Sequence, residues 1–264
     1  MLILLLVLVG NASAATLYNE WKGTTTDWNT GTNWNLGSVP FITDGTDMIK
    51  AGFKAPETAW PLITSATLPV PEADVITLGG ASGGFLSIDS GTLKVGQYIT
   101  MGASAGENGI FYINGGTVIT GQRTTNAHLF VGQQGVGTVY MNGGVVNLVG
   151  GIGTTGNLRI ADVSTASGNL YLNAGTIYAN DLLMPFAAAG SLEINGGTLV
   201  LNGDDTAAVG ALVLAGKVTT TLPGGSVLSA YDEDSMKTLV WAIPEPATIC
   251  LLGFGVLGLL SRKK

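Results

Sequence analysis

The side chains in this sequence able to do chemistry are few and widely separated. The one histidine, His128, opens the apolar run HLFVG with no serine or cysteine nucleophile motif beside it. Neither a nucleophile–base arrangement nor a histidine metal site is indicated. The one cysteine, Cys250, lies in an apolar C-terminal run, so the body has no disulfide and no thiolate metal site. Asp44 and Asp47 in TDGTD, and Asp204 with Asp205 in NGDD, carry the oxygen chemistry that calcium uses. Neither pair fits the calcium-loop spacing or the Gly-rich calcium repeat, and turn capping is the simpler role. Polysaccharide lyases and hydrolases need converging carboxylates or a carboxylate–calcium–arginine set. The candidates Lys94, Arg159, Asp181 and Glu193 are scattered across different faces. We therefore expect no catalytic residue, no metal and no cofactor, and the chain is not expected to be an enzyme.

A different group of residues recurs in register. Five segments share an apolar–x–apolar–Asn-like–small–Gly pattern followed by a Thr-like and an apolar residue: LSIDSGTL from Leu86, FYINGGTV from Phe111, VYMNGGVV from Val139, LYLNAGTI from Leu170 and LEINGGTL from Leu192. Their last glycines, at 91, 116, 144, 175 and 197, are spaced by 25, 28, 31 and 22 residues. A second strand precedes each later copy, at Tyr98–Gly102, His128–Gly132, Asn157–Ala161 and Asp181–Pro185, and a last copy is expected at Ala211–Leu214. Each unit alternates with period two and is too short to bury its apolar face alone, so the units must stack. The expected fold is all-β: a right-handed parallel β-helix, or solenoid, of about five coils, rising roughly 25 Å at ~4.8 Å per coil. An antiparallel sandwich stays open, because Asn-Gly-Gly also closes hairpins.

In the solenoid reading, Asn114, Asn142, Asn173 and Asn195 stack at one corner with Asp89 below them. Asparagine amides both donate and accept and can form a ladder, which an ionised Asp89, an acceptor only, would end. Tyr112, Tyr140 and Tyr171 share one outward position, flanked by Ser87 and Glu193. Packing across rungs is the simpler role for them, and a sugar-stacking strip making carbohydrate contact is the sharper one. The outward column Thr92, Thr117, Thr176 and Thr198 is broken by Val145, which speaks against ice binding.

Composition agrees with many short strands joined by tight turns. Charged residues are 11 % of the 264, against about a quarter in ordinary soluble chains. The 40 glycines sit at the ends of short β-branched runs, as turn punctuation does. A net charge of −7 without a basic patch argues against a nucleic-acid partner.

Both ends read as addresses. Leu2–Val9 is an apolar run followed by Ala12-Ser13-Ala14, the pattern of a secretory signal with cleavage after Ala14 or Ala15. No basic residue precedes it, so we expect a start upstream of Met1; a short signal using only its α-amino charge is the alternative. At the other end Pro244-Glu245-Pro246 precedes the uncharged run Ala247–Leu260 and the basic Arg262-Lys263-Lys264. The run is short for a membrane span. The basic stop should stay cytoplasmic, placing the body on the far side.

Pro-Glu-Pro, apolar helix and basic end together resemble the PEP-CTERM sorting signal of bacterial proteins, with Pro244, Glu245 and Pro246 on the motif positions. The resemblance implies a partner, an exosortase-like membrane protease or transpeptidase, and anchoring in membrane lipid by a C-terminal transmembrane helix before processing. The N-terminal WNTGTNW from Trp28 to Trp34, with Trp21, is similar to the opening of autotransporter-like β-helical surface proteins. Physically, it would cap the first coil's open edge and apolar interior.

The expected organisation is a signal peptide at 1–14, a Trp-rich cap and irregular connection at 15–80, solenoid repeats at 81–230, a linker at 231–242 and the sorting tail at 243–264. The expected function is a structural or adhesive protein of the cell surface or extracellular matrix, sorted by the exosortase-like system and embedded in extracellular polysaccharide. The alternative is a carbohydrate-binding or carbohydrate-active β-helix.

Overall fold

The computed structural model of the chain describes residues 16–42, 48–53, 59–80, 83–152, 155–186 and 189–245. Strand β1 (Thr16–Glu20) leads into a stack of coils, each built from strands on three faces. The first coil is β2 (Met48–Phe53), β3 (Leu62–Ile63) and β4 (Glu72–Ala73); the second is β5 (Val75–Leu78), β6 (Gly84–Ile88) and β7 (Thr92–Val95). The third is β8 (Ile99–Met101), β9 (Asn108–Ile113) and β10 (Thr117–Ile119). In the next two coils the second and third faces are joined by one long bent strand: β11 (Leu129–Val131) with β12 (Val136–Asn147), then β13 (Leu158–Ile160) with β14 (Ser167–Ala179). The last coil is β15 (Leu182–Leu183), β16 (Gly190–Ile194) and β17 (Thr198–Asn202). All pairings between these coils are parallel.

The fold is therefore an all-β solenoid, and the antiparallel sandwich is excluded. It has about six turns rather than about five, a rise of roughly 29 Å at ~4.8 Å per coil. The additional coil lies in the stretch expected to be irregular. Its β3 pairs Ile63 with Ile88, but Thr64 stands where later coils have Asp89 or Asn, and residues 64–71 replace the Asn-Gly-Gly corner.

Alternation sets the core. Ile88, Ile113, Met141, Leu172 and Ile194 are in register and fully buried. Parallel columns run inside the other faces, with Leu93, Val118, Val146, Ile177 and Leu199 on the third and Ile76, Ile99, Leu129 and Leu158 on the first. The corners between the second and third faces need glycine for a physical reason. Gly144 has φ +76°, and a Cβ there would meet the Gly116 carbonyl oxygen of the coil below at 2.5 Å, so both the left-handed backbone and the coil spacing exclude a side chain.

Both ends are closed. Trp21, Trp28 and Trp34 are buried over Phe53, with Trp–Trp ring centroids 5.0 Å apart in edge-to-face contacts. The indole of Trp34 donates to the Trp28 carbonyl at 2.8 Å and that of Trp21 to the Ala59 carbonyl at 2.7 Å. At the far end, helix α1 (Thr206–Leu214) follows the last coil and puts Val209 into the core cluster. The strand expected at Ala211–Leu214 is thus the end of a helix. The run TAAVGALVL is rich in Ala and Leu, good helix formers, and the short β18 (Val218–Thr219) takes the rung above β16 instead. The expected linker at 231–242 is likewise structured. Strands β19 (Ser226–Asp232) and β20 (Lys237–Ile243) form an antiparallel hairpin, and β20 pairs antiparallel with β17. Reversing direction there covers the last coil's third-face edge and ends the stack.

No helix among the described residues is long and apolar enough to cross a membrane. The expected membrane segment, like the signal peptide, lies outside them.

Candidate functional site

Three surface features and the C-terminal end qualify as candidate sites. The first is the asparagine corner. Asn114 Nδ2 donates to Asp89 Oδ1 at 2.8 Å, Asn142 to Asn114 at 2.9 Å, Asn173 to Asn142 at 2.9 Å and Asn195 to Asn173 at 3.0 Å. Asp89 also accepts from the Ser87 hydroxyl at 3.1 Å, and the Thr221 N–H donates to Asn195 Oδ1 at 3.0 Å. Each amide from Asn114 to Asn195 donates one N–H in the same direction, toward the Asp89 end of the ladder.

The second is the tyrosine row. Tyr112 and Tyr140 have centroids 5.2 Å apart at 11° between planes, and Tyr140 and Tyr171 are 5.0 Å apart at 7°. The rings are half-buried and stack face to face along the coil axis. Their faces cover one another, so the coplanar, outward-facing platform a sugar ring would need is not what these side chains form. The threonine column runs in register Thr92–Thr117–Val145–Thr176–Thr198 and meets Trp241 of β20 at its end.

The charged candidates are not brought together. Lys94 pairs with Glu72 at 3.5 Å on the third face, and Arg159 Nε donates to Asp162 at 2.6 Å on the first. Asp181 accepts from Asn180 Nδ2 at 2.6 Å, and Glu193 accepts from Asn195 at 2.8 Å on the second face. His128 Nδ1 accepts the Asn157 N–H at 3.0 Å, and its ring meets Phe130 edge to face at 5.4 Å. Burial, with a smaller contribution from the Arg159 cation, holds its pKa below the ordinary histidine value. It is a packed, neutral acceptor. Asp204 accepts from the Thr206 hydroxyl at 2.6 Å and its N–H at 3.1 Å, which holds its pKa below the usual carboxylate value. Asp205 is pushed up, first by burial and then by Asp181 and Asp204. The described residues contain no cluster of three or more potential metal ligands. Asp44 and Asp47 lie outside the described residues.

One feature escaped the sequence reading. On the first face a groove of about 320 Å³ is lined by Tyr18, Glu20, Thr77, Ala103, Ser104 and Glu107. Glu107 Oε2 accepts the Ser104 N–H at 3.1 Å. The two carboxylates come from β1 and from the loop after β8, three rungs apart on the first face, and no local spacing announces them.

The fourth feature is where the chain leaves the body. β20 stays paired to its last residue, Ile243 opposite Ser226, and Pro244 and Glu245 follow at once, both exposed. The Glu245 side chain lies over Gly224, in the turn that opens β19, where a Cβ would overlap it. Comparison with protein families places the PEP-CTERM protein-sorting motif at residues 242–264. The chain carries an exosortase-directed sorting signal. It follows that the protein is exported, anchored through its C-terminus and processed with an exosortase as partner. The motif covers a small share of the chain, and its first two residues, Ala242 and Ile243, are also the end of β20. Neither the curated proteins nor the solved structures contain a match. Pro246, the basic stop Arg262-Lys263-Lys264 and the cleavage residues Ala14 and Ala15 lie outside the described residues.

Proposed function

We propose that the chain is a structural or adhesive protein of the cell surface or extracellular matrix, with no enzymatic activity, whose solenoid is the functional body and whose tail is its address. The observation that carries this reading is the sorting motif continuing directly from a body whose outward rows are occupied with one another. The asparagines form a closed ladder, the tyrosines stack, and the charged candidates pair locally on separate faces. Such a surface suits a stiff module that presents shape. The WNTGTNW opening, similar to that of autotransporter-like surface proteins, agrees with it. The test is localisation in a bacterial host with and without its exosortase. Surface or matrix deposition should require the enzyme, and the same deposition without it would contradict the reading.

A second reading rests on the first-face groove. Two carboxylates and a phenol, Glu20, Glu107 and Tyr18, line one concavity, the composition expected where an oligosaccharide's hydroxyls are held. This would make the body a carbohydrate-binding or carbohydrate-active module. Affinity electrophoresis of the full chain through the host's extracellular polysaccharide tests it: retardation lost in Glu20→Gln and Glu107→Gln supports this reading, and unretarded parent protein removes it.

A further inference from the structure

The end of the body nearest the sorting tail carries apolar surface that the fold leaves uncovered. Of the nine residues of α1 only Thr206 has a polar side chain, and only Val209 is buried. A helix apolar on all sides belongs in a core or against lipid. Here Leu212 and Val213 are half covered, and Leu214 at the C-terminal end is 92 % exposed. Beside that end, a groove of about 440 Å³ runs between α1, β18 and the start of β19, lined by Val213, Val218 and Val227 together with the polar Thr219, Thr220 and Ser226.

The position of this surface relative to the chain's exit decides what covers it. Ile243 pairs with Ser226, and Glu245 lies over Gly224, so the chain leaves at the rim of the groove. Three residues separate Ile243 from Ala247, the start of the uncharged run, a reach of about 14 Å over four fully extended Cα–Cα steps. An anchored chain therefore keeps this end of the solenoid close to the bilayer. Apart from Glu245, the acidic groups of the hairpin turn and of the start of α1 lie away from it. Asp232, Glu233 and Asp234 are at the other end of the hairpin, about 20 Å along β19, and Asp204 and Asp205 are at the opposite end of α1. Anionic headgroups would meet valine, leucine and Lys217, with Glu245 the carboxylate at the chain's exit.

We propose that the C-terminal end of α1 and the adjoining groove form a membrane-contact surface, which seats the solenoid on the bilayer while the chain is anchored. The proposal rests on the anchoring reading of the tail. Seating fixes the angle at which the body stands and the depth at which Pro244 and Glu245 are presented to the processing enzyme.

The test uses the full chain in vesicles of phosphatidylethanolamine and phosphatidylglycerol, with one nitroxide-labelled cysteine at a time. The labels are at native Cys250, at Leu214→Cys, and at Leu36→Cys, the last two combined with Cys250→Ala. Leu36 is 50 % exposed at the opposite, Trp-capped end. We expect the label at 214 to collide with oxygen more than with a water-soluble nickel chelate, and the label at 36 to do the reverse. A label at 214 as open to the chelate as that at 36, with Cys250 in lipid, overturns the proposal and leaves anchoring intact. Cys250 in water overturns both. Spin–spin broadening at 214 would assign the surface to a second copy of the chain, and shielding from both reagents would assign it to another segment of the same chain; either result also overturns the proposal.

Discussion

Replacing Asn142 tests the corner ladder at its middle rung. Its amide donates to Asn114 at 2.9 Å and accepts from Asn173 at 2.9 Å. Asn142→Ala removes both bonds at an exposed corner, where water takes the freed groups, and should cost about 1–2 kcal/mol. Asn142→Asp keeps the size and still accepts from Asn173, but it turns a carboxylate oxygen toward Asn114 Oδ1. Asn114 cannot escape by flipping its amide, because its N–H then leaves Asp89 and its oxygen faces that carboxylate instead. One acceptor–acceptor contact persists either way, so Asn142→Asp should cost about 1–2 kcal/mol more than Asn142→Ala at neutral pH.

The contact raises the introduced carboxyl's folded pKa above its unfolded value of about 3.9. Stability relative to Asn142→Ala is then recovered below the unfolded pKa, where the group is protonated and donates, and is lost as pH rises through the raised folded pKa. Adding Asp89→Asn should rescue the variant at neutral pH, since Asn114 can then flip between a donor below and an acceptor above. Urea unfolding of parent, both single variants and the double variant at neutral and acid pH reads all of this. Equal stability of Asn142→Asp and Asn142→Ala at neutral pH, or no rescue by Asp89→Asn, would refute the reasoning.

Three further outcomes are expected. Ile113→Asp places an unpaired charge in a fully buried column and should abolish folding, whereas Tyr112→Ser removes one outward stacking contact and should cost about 1 kcal/mol; equal losses would contradict the assigned parity. His128, held neutral by burial and by Arg159, should titrate below the ordinary histidine value by NMR. Because its folded pKa is depressed, its contribution is present above the unfolded pKa of about 6.5 and lost as pH falls through the folded one, which Asn in place of His128 should abolish. N-terminal sequencing of exported protein should begin at Ala15 or Thr16, and a mature chain retaining Leu2–Val9 would sink the signal-peptide reading.

The parts of the fold legible in the sequence are those where one coil repeats another. Ile113, Met141 and Leu172 declare themselves because each precedes an Asn and a glycine turn, and the stacking rule then fixes the inward parity and the ladder. The first coil stays hidden because residues 64–71 replace that turn, leaving β3 and β4 as two-residue strands. The C-terminal cap is hidden for a different reason. An apolar run such as ALVL satisfies helix and strand patterns alike, and only the covering of an open solenoid end selects the helix. YDEDSMK reads as a linker by polarity, yet it is the turn of a hairpin. The sorting motif is linear and was legible outright. The groove of Glu20 and Glu107 and the seat of Glu245 on Gly224 depend on residues joined only by coiling, which no sequence spacing records.

The central claim is that residues 242–264 are an address that is read and removed. The most direct test is the intact mass of the mature surface protein from a host carrying an exosortase, for the parent and for Glu245→Ala. The account predicts that the parent ends near Pro244–Pro246, while Glu245→Ala stays full length in the membrane fraction. Most parent molecules retaining Lys264, with no difference between parent and variant, would contradict it.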